Sequence, residues 1–118
     1  MRKTSYGVVT AALLLSLTAC SSSSDSANED QRPLVATTVS PITSIASSIA
    51  GDRARIEGIV PEGTNSHTFE PTPQVAELLS NADLILVNGL KLEDPTIDLA
   101  VNNKKDDTEI VEIGTIVL

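Results

Sequence analysis

The sequence predicts an α/β fold: a mainly parallel four-stranded sheet with flanking helices. Three observations carry this expectation. Short apolar or β-branched runs alternate with stretches of helical period, the order that generates βαβ units. Three helical stretches open with a cap-type residue followed by proline, at Ser40-Pro41, Thr72-Pro73 and Asp94-Pro95. Proline suits the first helical position because the N–H it lacks has no intrahelical partner there. Finally, Leu84-Ile85-Leu86-Val87 is continuously apolar, as expected of a parallel strand covered on both faces.

Taken in order, Leu34 to Val39 is a β-branched run that reads as the first strand. In the helix after Ser40-Pro41, Ile42, Ile45, Ala46 and Ile49 fall at i, i+3, i+4 and i+7 and form one apolar face, and Gly51 is placed to end it. Ala54 to Val60 alternates in part and reads as the second strand; Pro61 to Pro71 is a loop. The second helix repeats the stripe with Val75, Leu78, Leu79 and Ala82, and Asp83 introduces the third strand. Asn88-Gly89 suits a hairpin turn, but a helix signal follows it, which favours a crossover. That third helix turns Ile97, Ala100 and Val101 inward. Asn102 to Asp107 is polar and turn-like, Glu109 to Ile113 is the fourth strand, and Thr115 to Leu118 is apolar.

Composition narrows the function. The chain has 118 residues, eight Lys+Arg against sixteen Asp+Glu, a net charge of -8 and no Trp. Nucleic-acid binding is therefore not expected, since it calls for clustered cations and usually stacking rings. One Cys rules out an internal disulfide framework, and one His rules out a site of several histidines within this chain.

Residues 1–19 read as a signal peptide. Arg2 and Lys3 are the positive n-region, and Val8 to Leu17 is an apolar run too short to cross a bilayer, which takes about 20 residues. Leu17-Thr18-Ala19-Cys20 resembles a bacterial lipobox, which makes Cys20 the expected lipidation site and mature N-terminus. A plain secretory signal with an incidental Cys is the alternative. Cleavage removes Arg2 and Lys3, so the charge of -8 becomes -10 on the exported part. Residues 20–33 are polar and read as a flexible tether, and 34–118 as the folded lobe.

Among chemistry-bearing residues, His67 stands out. It lies in the loop P-E-G-T-N-S-H-T-F-E-P, beyond the carboxyl end of the second strand, where ligands gather in parallel sheets. A neutral imidazole can bind a divalent metal there; a loop His can equally be a solvent-exposed turn residue. Glu70 could join a metal site or favour the start of the next helix, and Glu93-Asp94 could be ligands or helix-start charges. Asp106-Asp107 with Lys104-Lys105 is most simply a solvated turn. No phosphate-cradling loop and no nucleophile elbow occur, so no catalytic residue is expected.

The loop from Pro61 to Pro73, with Ala82-Asp83-Leu84-Ile85, Asn88-Gly89-Leu90-Lys91-Leu92-Glu93 and the opening Val35-Ala36-Thr37-Thr38-Val39-Ser40-Pro41-Ile42, resembles the metal-binding solute-binding lipoproteins of zinc and manganese ABC importers. The resemblance runs from Leu34 to Leu118. It implies that His67 touches the metal, that the cargo is Zn²⁺ or Mn²⁺, and that the partners are an ABC permease and, through the lipid anchor, the outer face of the cytoplasmic membrane. Many members carry Asp-Pro where this chain has Asn65-Ser66, which leaves the ligand intact. Members have two α/β lobes joined by a long helix, with the metal between them; this chain resembles only the first lobe. The remaining ligands, a second His and carboxylates, would lie beyond Leu118, so the chain alone is expected to bind metal weakly or not at all. A standalone surface lipoprotein acting as an adhesion or interaction module is the alternative.

Overall fold

The computed structural model describes residues 30–116; the expected signal peptide, Cys20 and most of the expected tether lie outside the described residues. Four strands, β1 (Leu34–Thr37), β2 (Arg55–Gly58), β3 (Leu84–Val87) and β4 (Glu109–Glu112), alternate with helices α1 (Ser40–Ala50), α2 (Pro73–Asn81) and α3 (Asp94–Asn103), and a short turn of helix, α4 (Ile113–Ile116), follows β4. The strands form one parallel sheet in the order β2-β1-β3-β4. Val35 pairs with Ile56 on one side and Leu84 on the other, and Leu84 pairs in turn with Glu109.

The strand order dictates the layers. The step from β1 to β2 runs one way across the sheet, and the steps to β3 and β4 run the other way. With right-handed crossovers, α1 covers one face alone, while α2 and α3 share the other and pack together. The core lies under that pair: Ala36, Leu79, Ala82, Ile85, Val87 and Ala100 are buried, with Val75, Leu78, Ile97 and Ile110 packed against them.

Several expectations need correction. The hydrophobic stripe of α1 does not all face the sheet: Ile42 and Ala46 are buried, but Ile45 and Ile49 are 61% and 70% exposed. The part of α1 that meets the sheet is Ile42, Thr43 and Ala46, with Thr43 Oγ1 2.7 Å from Thr37 Oγ1 on β1. In α3, Thr96 takes the inward position, and Val101, expected inward, is 59% exposed. The prolines sit in the first turn as expected, yet no side-chain cap bonds form: Val39 rather than Ser40 caps α1, and Thr72 caps α2 through its backbone alone. Strands one and two are shorter than their apolar runs, and Ile113 begins α4 instead of ending β4.

The segment read as a solvated turn also holds the amino edge of the sheet. Lys105 Nζ reaches Asp83 Oδ1 at 2.7 Å and the Asn81 carbonyl at 3.2 Å, and Asp83 Oδ2 accepts the Leu34 N–H at 2.8 Å. The Lys105 ammonium, helped by that N–H, holds the Asp83 carboxyl below its ordinary value of 3.8. A carboxylate depressed in the folded state stabilises above its unfolded value, and the contribution fades as pH falls through the folded one. Asp83→Asn should therefore lower stability at neutral pH and flatten the loss seen on acidification below about pH 4. Urea denaturation of both forms across that range measures this; parallel curves would refute it. The pair is half-exposed, so the effect should shrink in high salt.

Candidate functional site

The carboxyl edge of the parallel sheet carries the loops after β1, β2 and β3. The loop after β2 leaves the sheet on two backbone bonds, Ile59 N–H to the Thr37 carbonyl at 2.8 Å and Val60 N–H to the Thr38 carbonyl at 2.9 Å. It returns at Phe69, half-buried against the core. Between these anchors the chain turns on Asn65. The Asn65 side-chain oxygen accepts the His67 N–H at 3.0 Å, and its carbonyl accepts the Thr68 N–H at 3.2 Å. This is a local side-chain turn of the kind Asn favours. His67 is thereby held exposed at the loop apex, with its backbone N–H bonded to Asn65. A cleft of about 280 Å³ opens beside it, lined by Val39, Ser40, Pro41, Val60, Thr64 and Ser66, among others.

Of the other residues considered as ligands, Glu70 is exposed ahead of α2, and Asp94 is exposed in the first turn of α3. Asp94 is thus a helix-start charge, as one of its two readings held. Among the described residues, no three His, Cys, Asp or Glu side chains converge where a metal ion could sit.

Glu93 stands at the N-cap of α3, though not as an exposed helix-start charge. It is fully buried. Its Oε1 accepts two hydrogen bonds, from Thr38 Oγ1 at 2.5 Å and from the Asn88 N–H at 2.7 Å. Its Oε2 and the Thr96 hydroxyl are both buried and find no partner among the described residues. Thr38, also fully buried, donates its own N–H to the Leu86 carbonyl at 3.0 Å. One carboxyl group therefore joins the ends of β1 and β3. A hydrophilic side chain is tolerated so deep because it completes backbone and hydroxyl hydrogen bonds where the strands end.

Between Asn88 and Glu93 the backbone is strained. Gly89, Leu90 and Lys91 take φ of 78, 57 and 61°, three left-handed residues in succession. The two that are not glycine cost about 1–2 kcal/mol each. The turn is pinned by Leu92 N–H to the Gly89 carbonyl at 3.1 Å and by Gly114 N–H to the Asn88 carbonyl at 2.9 Å. The sequence offered one signal for this seam, the paired Thr37-Thr38 closing an otherwise apolar strand.

Residues 35–118 match the family described as zinc-uptake complex component A, periplasmic. Over 82 residues the chain is 42% identical to the manganese ABC transporter substrate-binding lipoprotein PsaA of Streptococcus pneumoniae, a match covering 70% of this chain and 26% of that protein. Over 78 residues it is 41% identical to the iron ABC transporter substrate-binding lipoprotein MtsA of Streptococcus pyogenes serotype M1, covering 66% and 25%. The manganese-bound periplasmic metal-binding protein of Candidatus Liberibacter asiaticus superposes with a TM-score of 0.65 at 34% identity, covering 70% of this chain and 30% of that one. The chain thus spans about a quarter of the length of the curated relatives it matches, in keeping with the single lobe expected.

Proposed function

The chain belongs to the zinc-uptake complex component A family, and on that footing we propose that it supplies the first lobe of an extracytoplasmic receptor that captures a divalent metal for an ABC permease. In this reading the role is coordination without bond-making chemistry. His67 offers one nitrogen from the carboxyl edge of the sheet. Zinc takes about four donors, manganese more and harder ones; we place the remaining donors in the portion of the relatives that this sequence does not span. The relatives' printed names carry manganese and iron, so we keep the cargo as Zn²⁺ or Mn²⁺ with iron as a further candidate. We assign residues 1–19 to a signal peptide, Cys20 to the lipid anchor, 20–33 to the tether and 34–118 to the lobe, which puts the protein on the outer face of the membrane. Among the described residues no helix is long and apolar enough to cross a membrane. The names of the relatives are those of transport lipoproteins, which gives the standalone adhesion module no support.

The observation that carries the proposal is His67 itself, exposed at a loop apex whose backbone is fixed by Asn65. The test is a titration of the full chain with Zn²⁺ and with Mn²⁺, read on the His67 imidazole by NMR. Zn²⁺ should shift, and Mn²⁺ broaden, the His67 signals ahead of any others, with weak saturation, and His67→Ala should remove that first phase. A metal response confined to carboxylates, with His67 undisturbed, would overturn the assignment.

A further inference from the structure

We infer that Glu93 is the positioning residue of the carboxyl edge, tying the base of the His67 loop to the left-handed turn after β3 so that the two loops move as one. This rests on the metal-receptor reading for its consequence, but its geometry stands apart from that reading. The connection is continuous. Glu93 Oε1 accepts the Asn88 N–H at 2.7 Å and the Thr38 hydroxyl at 2.5 Å. The Thr38 carbonyl accepts the Val60 N–H at 2.9 Å, and Val60 is where the His67 loop leaves the sheet. One oxygen therefore reaches the strained turn directly and the His67 loop through a single residue.

Burial makes the tie stiff. Glu93 and Thr38 are both 0% exposed, so water cannot substitute for either bond, and a buried hydrogen bond is expensive to leave unmade. The left-handed turn supplies the reason a tie is needed. Leu90 and Lys91 hold positive φ without being glycine, a conformation that persists only when its surroundings over-determine it. Four bonds do so: Asn88 N–H to Glu93 Oε1 at 2.7 Å and to Thr38 Oγ1 at 3.2 Å, Leu92 N–H to Gly89, and Gly114 N–H to Asn88. The first two also grip the end of β1, one through Glu93 and one at the Thr38 hydroxyl itself. Residues that orient a metal ligand from behind commonly alter affinity by tenfold or more when removed, and Glu93 is placed to do so through the loop backbone.

The experiment compares the ¹⁵N-labelled full chain with Glu93→Ala, Glu93→Gln and Thr38→Val, by amide exchange and by Zn²⁺ titration at His67. Glu93→Gln keeps an acceptor at Oε1 and should leave both readouts nearly unchanged. Glu93→Ala should speed exchange at Asn88 and at Val60 by about tenfold or more, release Leu90 and Lys91 from positive φ, and weaken zinc at His67 by on the order of tenfold. Thr38→Val removes at similar volume the hydroxyl that joins Glu93 to β1, and with it the more distant of the two acceptors of the Asn88 N–H. It should speed Val60 exchange and weaken zinc, while Asn88, still bonded to Glu93, is released less than in Glu93→Ala. It also keeps the test alive should Glu93→Ala fail to fold. If Val60 exchange and the His67 environment hold steady when Asn88 is released, Glu93 is a local tie and the inference falls. Should zinc never reach His67 in the unsubstituted chain, the receptor reading fails, and the exchange at Val60 still decides whether the two loops are coupled.

Discussion

Leu79→Ala should unfold most of the protein's margin of stability. Leu79 is fully buried on α2, on the face where α2 and α3 meet the sheet, within the cluster of Ala36, Ile85, Val87 and Ala100. Removing its branched end deletes transfer free energy and leaves a hole that the surrounding small residues cannot fill. Alanine already occupies positions 36, 82 and 100, so little side chain is available to move inward. Such substitutions cost about 2–5 kcal/mol, and this site belongs at the upper end. A body of this size commands about 5–10 kcal/mol in total. Thermal or urea denaturation should show the midpoint falling sharply, and a loss below about 1 kcal/mol would mean that the α2 face is not the core.

Gly114→Ala is expected to be the next most costly, for a different reason. Gly114 is buried, and a Cβ there would stand 2.6 Å from the Asn88 carbonyl oxygen and 3.0 Å from Leu90 Cδ1. The first neighbour is backbone, and it is the very oxygen that accepts the Gly114 N–H at 2.9 Å. To make room, α4 must slide off the turn after β3, which breaks that bond and loosens the left-handed residues beside it. Overpacking of this kind costs about 1–3 kcal/mol. The readout that separates it from a general loss of packing is local: the Gly114 amide should lose exchange protection together with Leu92, before the α2 core does. Equal loss everywhere would contradict this.

How much of this was legible beforehand depends on how far apart the causes lie along the chain. β3 is Leu84–Val87 as read, because a run buried on both faces announces itself in four adjacent residues. α3 starts at Asp94 because Pro95 leaves the chain little choice. His67 was visible from its own loop, whose turn is set by Asn65 two positions away. The roll of α1 was not legible: the stripe Ile42, Ile45, Ala46 and Ile49 obeys the helical period, yet the face that meets the sheet takes in Thr43, whose hydroxyl partner Thr37 lies on another element. Least legible was Glu93. A charged residue before a helix reads as a solvated helix-start charge, and what makes it otherwise is Thr38, 55 positions earlier. Periodicity describes one segment at a time, whereas burial of a carboxyl group is settled by whichever distant segment brings the donors.

The strand order β2-β1-β3-β4 also bears on how the chain reaches this structure. Every pairing in the sheet is parallel, so no two strands can zip from a short hairpin, and each junction must wait for a helical crossover to close. The first strand among the described residues is interior, and its seam with β3 spans 49 positions at the Leu34–Asp83 bond. Closing loops of that length before any contact rewards them slows folding. A millisecond-or-slower collapse in which β1, α1 and β2 assemble first, with one flank of β1 unsatisfied until β3 arrives, is what this connectivity imposes. During that interval the open flank of β1 is the part of the chain most exposed to pairing with a neighbour's strand.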